Sequence, residues 1–102
     1  MRLLLRFSPK TPTLSAGDSS TTSDSKFYNT LTLTAGDYEN GTYKIYQGES
    51  EASGMTATRT AENNIQIESS ANFDGSTQYT LTVTVNGVES AKSTTFTIPA
   101  QA

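Results

Sequence analysis

Apolar and polar residues alternate in short runs along most of the chain, the period-two pattern of strands with one face buried and the other in water. Residues 28–34 place Leu31 and Leu33 on one face and Thr30, Thr32 and Thr34 on the other. Residues 42–46 turn Tyr43 and Ile45 inward, and residues 64–68 do the same with Ile65 and Ile67. The strongest run is 79–85, with Tyr79, Leu81, Val83 and Val85 inward and Thr80, Thr82 and Thr84 outward. Residues 55–60 read as a weaker, Thr-spaced edge strand, and residues 94–98 close the sheet with Phe96 and Ile98 inward. Residues 2–7 also read as a strand. Pro9 and Pro12 follow, and each holds its own φ and its predecessor extended, which carries the chain outstretched to Leu14. Polar loops at 15–26, 48–54 and 89–93, the left-handed-tolerant Gly36-Asp37 and Asn40-Gly41, and Asn86-Gly87 punctuate the runs. No stretch sustains a helical period with caps. The pattern predicts an all-β chain, a single antiparallel two-sheet β-sandwich of seven to eight strands in which each sheet buries one face against the other.

Composition narrows the chemistry. At 102 residues one domain is expected. The chain holds 18 Thr and 13 Ser, while apolar residues make up only 33%, so the core is thin and the exterior hydroxyl-rich. Thr suits the wet face of a strand because its branched Cβ fits the pleat while its hydroxyl stays hydrated. With no His and no Cys, there is no Ser-His-Asp triad, thiol nucleophile, imidazole or thiolate metal site, or disulfide. A net charge of −3 argues against a nucleic-acid partner, which needs a basic stripe. The apolar run near the start is far shorter than a membrane span and lacks a cleavage site, so no membrane partner is expected. Neither a cofactor nor an enzymatic activity is expected.

Tyr79-Thr-Leu-Thr-Val-Thr-Val-Asn-Gly87, then Glu89-Ser90 and Thr95-Phe96-Thr97-Ile98, resembles the last two strands of fibronectin type III and related immunoglobulin-like domains. Upstream, Pro9-Lys-Thr-Pro12-Thr-Leu14 is similar to that family's proline-led first strand, and Tyr43-Lys-Ile-Tyr46-Gln-Gly48 to its third. The resemblance covers residues 8–99 and implies a structural corner: Tyr79 would tie its hydroxyl to upstream backbone, and Phe73 would fill the apolar position of the preceding turn. The chain departs from the family in lacking its core tryptophan. This divides the sequence into an N-terminal extra strand or docking segment at 1–7, the sandwich at 8–99 and a tail at 100–102.

Candidate sites are few. Asp37 with Glu39, and Glu49 with Glu51, pair carboxylates in loops that could hold Ca²⁺, but solvated turns explain them equally well and no EF-hand spacing is present, so no metal site is assigned. Tyr38, in a loop, and Tyr46, outward on a strand, are aromatic rings placed to stack on a sugar or anchor a protein; ordinary cross-strand packing is the alternative. In the N-terminal segment Leu3, Leu5 and Phe7 share one face, while Arg2, Leu4 and Arg6 share the other and suit an acidic partner surface; an edge strand with protective charges is the competing reading.

A Thr/Ser-rich, Lys-poor exterior without an export signal is expected of a phage virion component. The first expectation is a non-enzymatic decoration protein on the capsid or tail, in many copies on a symmetric assembly, docked through Arg2, Leu4 and Arg6 and adhering weakly to host-surface glycans. The alternative is a carbohydrate-binding or adhesion module of a bacterial cell-surface protein or glycosidase, at the cell surface or secreted.

Overall fold

A computed structural model describes residues 8–22 and 24–101. Its strands are β1 (Thr13–Ala16), β2 (Ser20–Thr21), β3 (Phe27–Ala35), β4 (Thr42–Gln47), β5 (Ser50–Glu51), β6 (Met55–Ala61), β7 (Asn64–Ser69), β8 (Thr80–Val85) and β9 (Val88–Glu89). The fold is all-β among the described residues. One antiparallel sheet has the order β1-β3-β7-β6 with β2 also on β3, and the other has the order β5-β4-β8-β9. The inner residues of both sheets share one cluster: Leu31, Leu33, Ile65 and Ile67 from the first, and Tyr43, Ile45, Leu81, Val83 and Val85 from the second. Two layers around one core are compatible with a β-sandwich. Among the described residues the strands number nine, against seven to eight expected for the chain. The additions are two-residue strands that neighbouring chain imposes, inside stretches too polar to show alternation. The predicted strand at residues 2–7 lies outside the described residues.

The end of the chain departs most from expectation. Residues 94–98 form no regular strand; their pairing with the sheet is the single bridge between Tyr79 and Phe96. The cause is two buried serines. Ser90 N–H donates to the Val83 carbonyl (2.8 Å), but the Val83 N–H donates to the Ser90 hydroxyl (3.0 Å) instead of to a main-chain carbonyl. Ser93 repeats the arrangement on Leu81, at 3.0 Å and 2.9 Å. Each hydroxyl then donates to a carbonyl one residue on, Ala91 or Thr94. Side chains thus stand in for half of the ladder and release the segment from strict alternation. Ile98 is still buried, and Phe96 packs at the edge of the core.

The connection between β3 and β4 is set by close approach. Gly36 has a φ of +84°, and a Cβ there would sit 2.7 Å from Pro12 Cα, so glycine is required on both counts. Gly41 is needed for space alone, since a Cβ would meet a Val83 methyl at 2.5 Å. The buried Tyr43 hydroxyl accepts the Tyr38 N–H (2.9 Å) and donates to the Gly36 carbonyl (2.9 Å). Burial raises this phenol's pKa, which keeps the donated proton in place. At the same end of the sheet, Asn86 and Gly87 adopt positive φ (52° and 80°) between the paired Val85 and Val88, a two-residue hairpin turn whose twist suits the flanking strands.

Candidate functional site

Three surface features carry chemistry. The first is the outer face of the β4-β8-β9 sheet. Register sets Tyr46 opposite Thr80, Lys44 opposite Thr82 and Glu89 opposite Thr84. Glu89 reaches across and accepts hydrogen bonds from the Tyr46 hydroxyl (2.5 Å) and the Thr82 hydroxyl (2.7 Å). These donors lower the Glu89 pKa, and the same carboxylate raises that of Tyr46, so the acceptor stays ionised and the donor protonated. Lys92 Nζ lies 4.8 Å from the Tyr46 ring centroid, within cation–π range. Tyr46 is therefore half-buried in a polar cluster. Thr82, on the outer face as predicted, is only 1% exposed. Thr80 and Thr84 keep buried hydroxyl oxygens with no hydrogen-bond partner among the described residues.

The second feature is a polar hollow of about 420 Å³ on the outer face of β3 and β7, lined by Asp18, Tyr28, Asn29, Thr30, Gln66 and Glu68. The 2% exposed Asn29 shapes it: its amide accepts the Gly17 N–H (3.2 Å) and donates to the Gly17 carbonyl and the Ser19 hydroxyl (both 2.8 Å), holding the chain between β1 and β2. Lys26 pairs with Glu68 at 3.2 Å beside it.

The third is the seam between β4 and β6, where strands of the two layers come closest. Two adjoining hollows of about 280 and 330 Å³ share Thr42, Tyr43 and Ala57; Ile45 and Met55 continue the first, and Arg59 bounds the second. Glu51 stands at one end and Glu39 at the other. Arg59 is held by both Asp37 oxygens, Nε at 2.7 Å and an Nη at 3.0 Å, which lowers the Asp37 pKa.

The residues singled out from sequence are distributed as follows. Tyr38 packs against the core, and its hydroxyl accepts the Lys10 N–H at 2.8 Å, so its ring is not free on a loop tip. Tyr79 and Phe73 are both buried, Tyr79 tilted against Phe96 at 6.2 Å. The Tyr79 hydroxyl faces the Thr77 side chain, and no hydrogen bond from it to upstream main chain is found among the described residues. Upstream, Asp74 caps its own turn, accepting the Ser76 and Thr77 N–H groups and the Thr77 hydroxyl, which pulls its pKa far down. Of the paired loop carboxylates, Asp37 is committed to Arg59, and no group of three or more acidic side chains that could hold a metal occurs among the described residues. Arg2, Leu4 and Arg6 lie outside the described residues. Sequence reasoning missed Glu89, Lys92 and the Tyr28 hollow. The Asn86-Gly87 turn is the signal for Glu89, because a two-residue loop fixes it opposite Thr84 on the outer face. Among the described residues no helix is long and apolar enough to cross a membrane. Comparison with known proteins finds no matching family model, curated protein or solved structure.

Proposed function

We propose that the protein is a non-enzymatic attachment module of immunoglobulin-like or fibronectin-like type, a small decoration protein carried in many copies on the capsid or tail of a virion. Strand order supports the family reading. In constant-type immunoglobulin domains an ABED sheet faces a CFG sheet. Here β1, β3, β7 and β6 would be A, B, D's neighbour E, and D in sequence of place A-B-E-D, and β4, β8 and β9 would be C, F and G, with β5 as an added C′. The observation that supports the attachment reading is the exposed edge of β6, seven residues long without Pro or Lys, beside hollows that Lys44 and Glu51, and Arg59 and Glu39, help to line. Three other carboxylates serve the fold: Asp37 holds Arg59, Asp74 caps a turn, and Glu89 ties down Tyr46 and Thr82. The basic N-terminal segment with Arg2, Leu4 and Arg6 would be the docking element. Deleting residues 1–7 should abolish co-sedimentation with phage particles; undiminished binding by a still-folded truncation would remove that role.

A second reading, a carbohydrate-binding or adhesion module of a bacterial surface protein or glycosidase, draws on the Tyr28 hollow, where a half-buried ring stands among amide and carboxylate groups. Calorimetric titration with cell-surface oligosaccharides, lost in Tyr28→Ala, would favour it over the first.

A further inference from the structure

Three of the seven glycines follow an asparagine or an aspartate: Asn40-Gly41, Asp74-Gly75 and Asn86-Gly87. At such a step the glycine nitrogen can attack the preceding side chain at Cγ and close a five-membered succinimide ring, because no Cβ on the glycine crowds the approach. The reaction needs a nitrogen free of other bonds, a Cγ that can shed its leaving group, and a turn loose enough to bring the two together. In sequence Asn40 and Asn86 are equivalent. In the fold they are not.

At Asn40 the nitrogen is engaged. The Gly41 N–H donates to the Tyr38 carbonyl at 3.0 Å, and Gly41 lies so close to the buried Val83 that a Cβ would sit 2.5 Å from its methyl. Turning the nitrogen towards Asn40 Cγ would break that bond and lift the glycine off Val83. Asp74 is blocked at the carbon. Its oxygens accept the Ser76 and Thr77 N–H groups (2.9 and 2.8 Å) and the Thr77 hydroxyl (2.6 Å), which fix the side chain and hold it ionised, with no neutral group to expel. Asn86 has neither restraint. Its side chain and the Gly87 N–H make no hydrogen bond among the described residues, both residues are exposed, and nothing lies within 4 Å of the place a Gly87 Cβ would take. The turn leads into the two-residue β9 at the end of its sheet, so the rotation that brings nitrogen to Cγ first disturbs only the Val85–Val88 pair.

We propose that Asn86 is a site of spontaneous modification by water, giving aspartyl and isoaspartyl forms, and that the isoaspartyl form unlatches the β8–β9 hairpin. The Gly87 nitrogen bonds to Asn86 Cγ and gives its proton to water; the Cγ–Nδ2 bond breaks, and the leaving nitrogen takes up a proton to depart as ammonia. Water then opens the ring at either carbonyl. Attack at Cγ restores the ordinary main chain with a carboxylate in place of the amide. Attack at the main-chain carbonyl leaves the chain running through Cβ and Cγ, one carbon longer, with the freed carboxylate on Cα. Either product adds a negative charge to the net −3. The aspartyl form keeps the turn, since aspartate tolerates the left-handed conformation as asparagine does. The longer chain does not fit a two-residue turn, whose length sets Val85 on Val88 and Thr84 on Glu89. Glu89 then leaves Tyr46 and Thr82, and the opening stops where Ser90 is tied to Val83.

The test ages the purified full chain in mildly alkaline buffer, beside the same chain in concentrated urea. Peptide mapping follows positions 40, 74 and 86, and labelling by an isoaspartyl methyltransferase counts isoaspartyl groups. With each rate divided by its own value in urea, position 86 of the folded chain should react at least about tenfold faster than 40 or 74, equivalent to ~1.4 kcal/mol less local opening. The aged acidic fraction, collected by anion exchange, should contain a population whose Val85 and Val88 amides exchange at least about tenfold faster, in the same share as the isoaspartyl label, while Leu81 and Val83 keep their protection. The Asn86→Asp variant should keep all four amides protected. Protection of position 86 equal to that of 40 or 74, or modification led by either of them, overturns the assignment. An isoaspartyl population as well protected at Val85 and Val88 as that variant overturns the unlatching.

Discussion

Replacing Ser93 by alanine removes a hydroxyl and nothing else of size, yet the structure makes that hydroxyl the acceptor for a buried main-chain N–H. Ser93 is 6% exposed and Leu81, whose N–H it receives at 2.9 Å, is 0% exposed. With the hydroxyl gone the Leu81 N–H has neither partner nor water, and an orphaned buried donor costs about 1–3 kcal/mol. Ser90→Ala does the same to Val83, also 0% exposed. For a domain of this size each kcal/mol lowers Tm by about 4–8 °C, so either variant should melt at least ~4 °C lower. The double variant should lose about 2–6 kcal/mol, a large part of the 5–15 kcal/mol typical of a whole domain. Guanidinium titration with an unchanged slope is the assay, because only then is the midpoint shift a stability change. Thr60→Ala, on an exposed strand position, serves as control and should stay within about 0.5 kcal/mol of the parent. If both serine variants match that control, the hydroxyls are not holding the edge, and the account of the chain's last segment fails.

Tyr43→Phe should cost about 1–3 kcal/mol in the same titration, since it strips the Tyr38 N–H of its acceptor and the Gly36 carbonyl of its donor; a neutral result would show that the β3–β4 connection is held by packing alone. Stability should be flat near neutrality and fall as the pH drops below about 4. Asp37, lowered by Arg59, and Glu89, lowered by the Tyr46 and Thr82 hydroxyls, contribute stability above their unfolded values and lose it as pH falls through their depressed folded ones. Asp37→Asn and Glu89→Gln should each flatten that acid limb in pH-dependent melts, and an unchanged limb in both would refute the assignment.

The core strands were legible because their alternation is strict: Leu31 and Leu33, Ile65 and Ile67, and Leu81, Val83 and Val85 have few ways to leave water other than on one face of a sheet. What was not legible depends on partners distant in sequence. Ser20–Thr21, Ser50–Glu51 and Val88–Glu89 are strands only because a neighbour pairs with them, and their own residues carry no period. Phe96 and Ile98 suggest a strand, but the serines that displace its ladder look like ordinary polar residues until their hydroxyls are placed. Gly41 reads as a turn glycine and proves to be one for want of room. Of the candidate site, Tyr46 was visible as an outward aromatic, while its partner Glu89 required hairpin register and Lys92 required the path of the irregular segment that follows. A loop position gave no measure of how far Tyr38 is covered.

Side-chain stitching continues past the serines to the last described residues. Asn72 both accepts the Gln101 N–H and donates to its carbonyl, and Ser19 donates to the carbonyl of Pro99. A load applied at the C-terminus therefore meets these contacts one at a time, as a zip fastener does, before it reaches the continuous rungs of β4 and β8. The domain is expected to yield first at that end, in small steps recorded by optical-trap pulling, while the inner strands stay folded; a single abrupt rupture would show the stitches breaking together. For a module exposed to shear, this makes the C-terminal end the wrong place from which to hang.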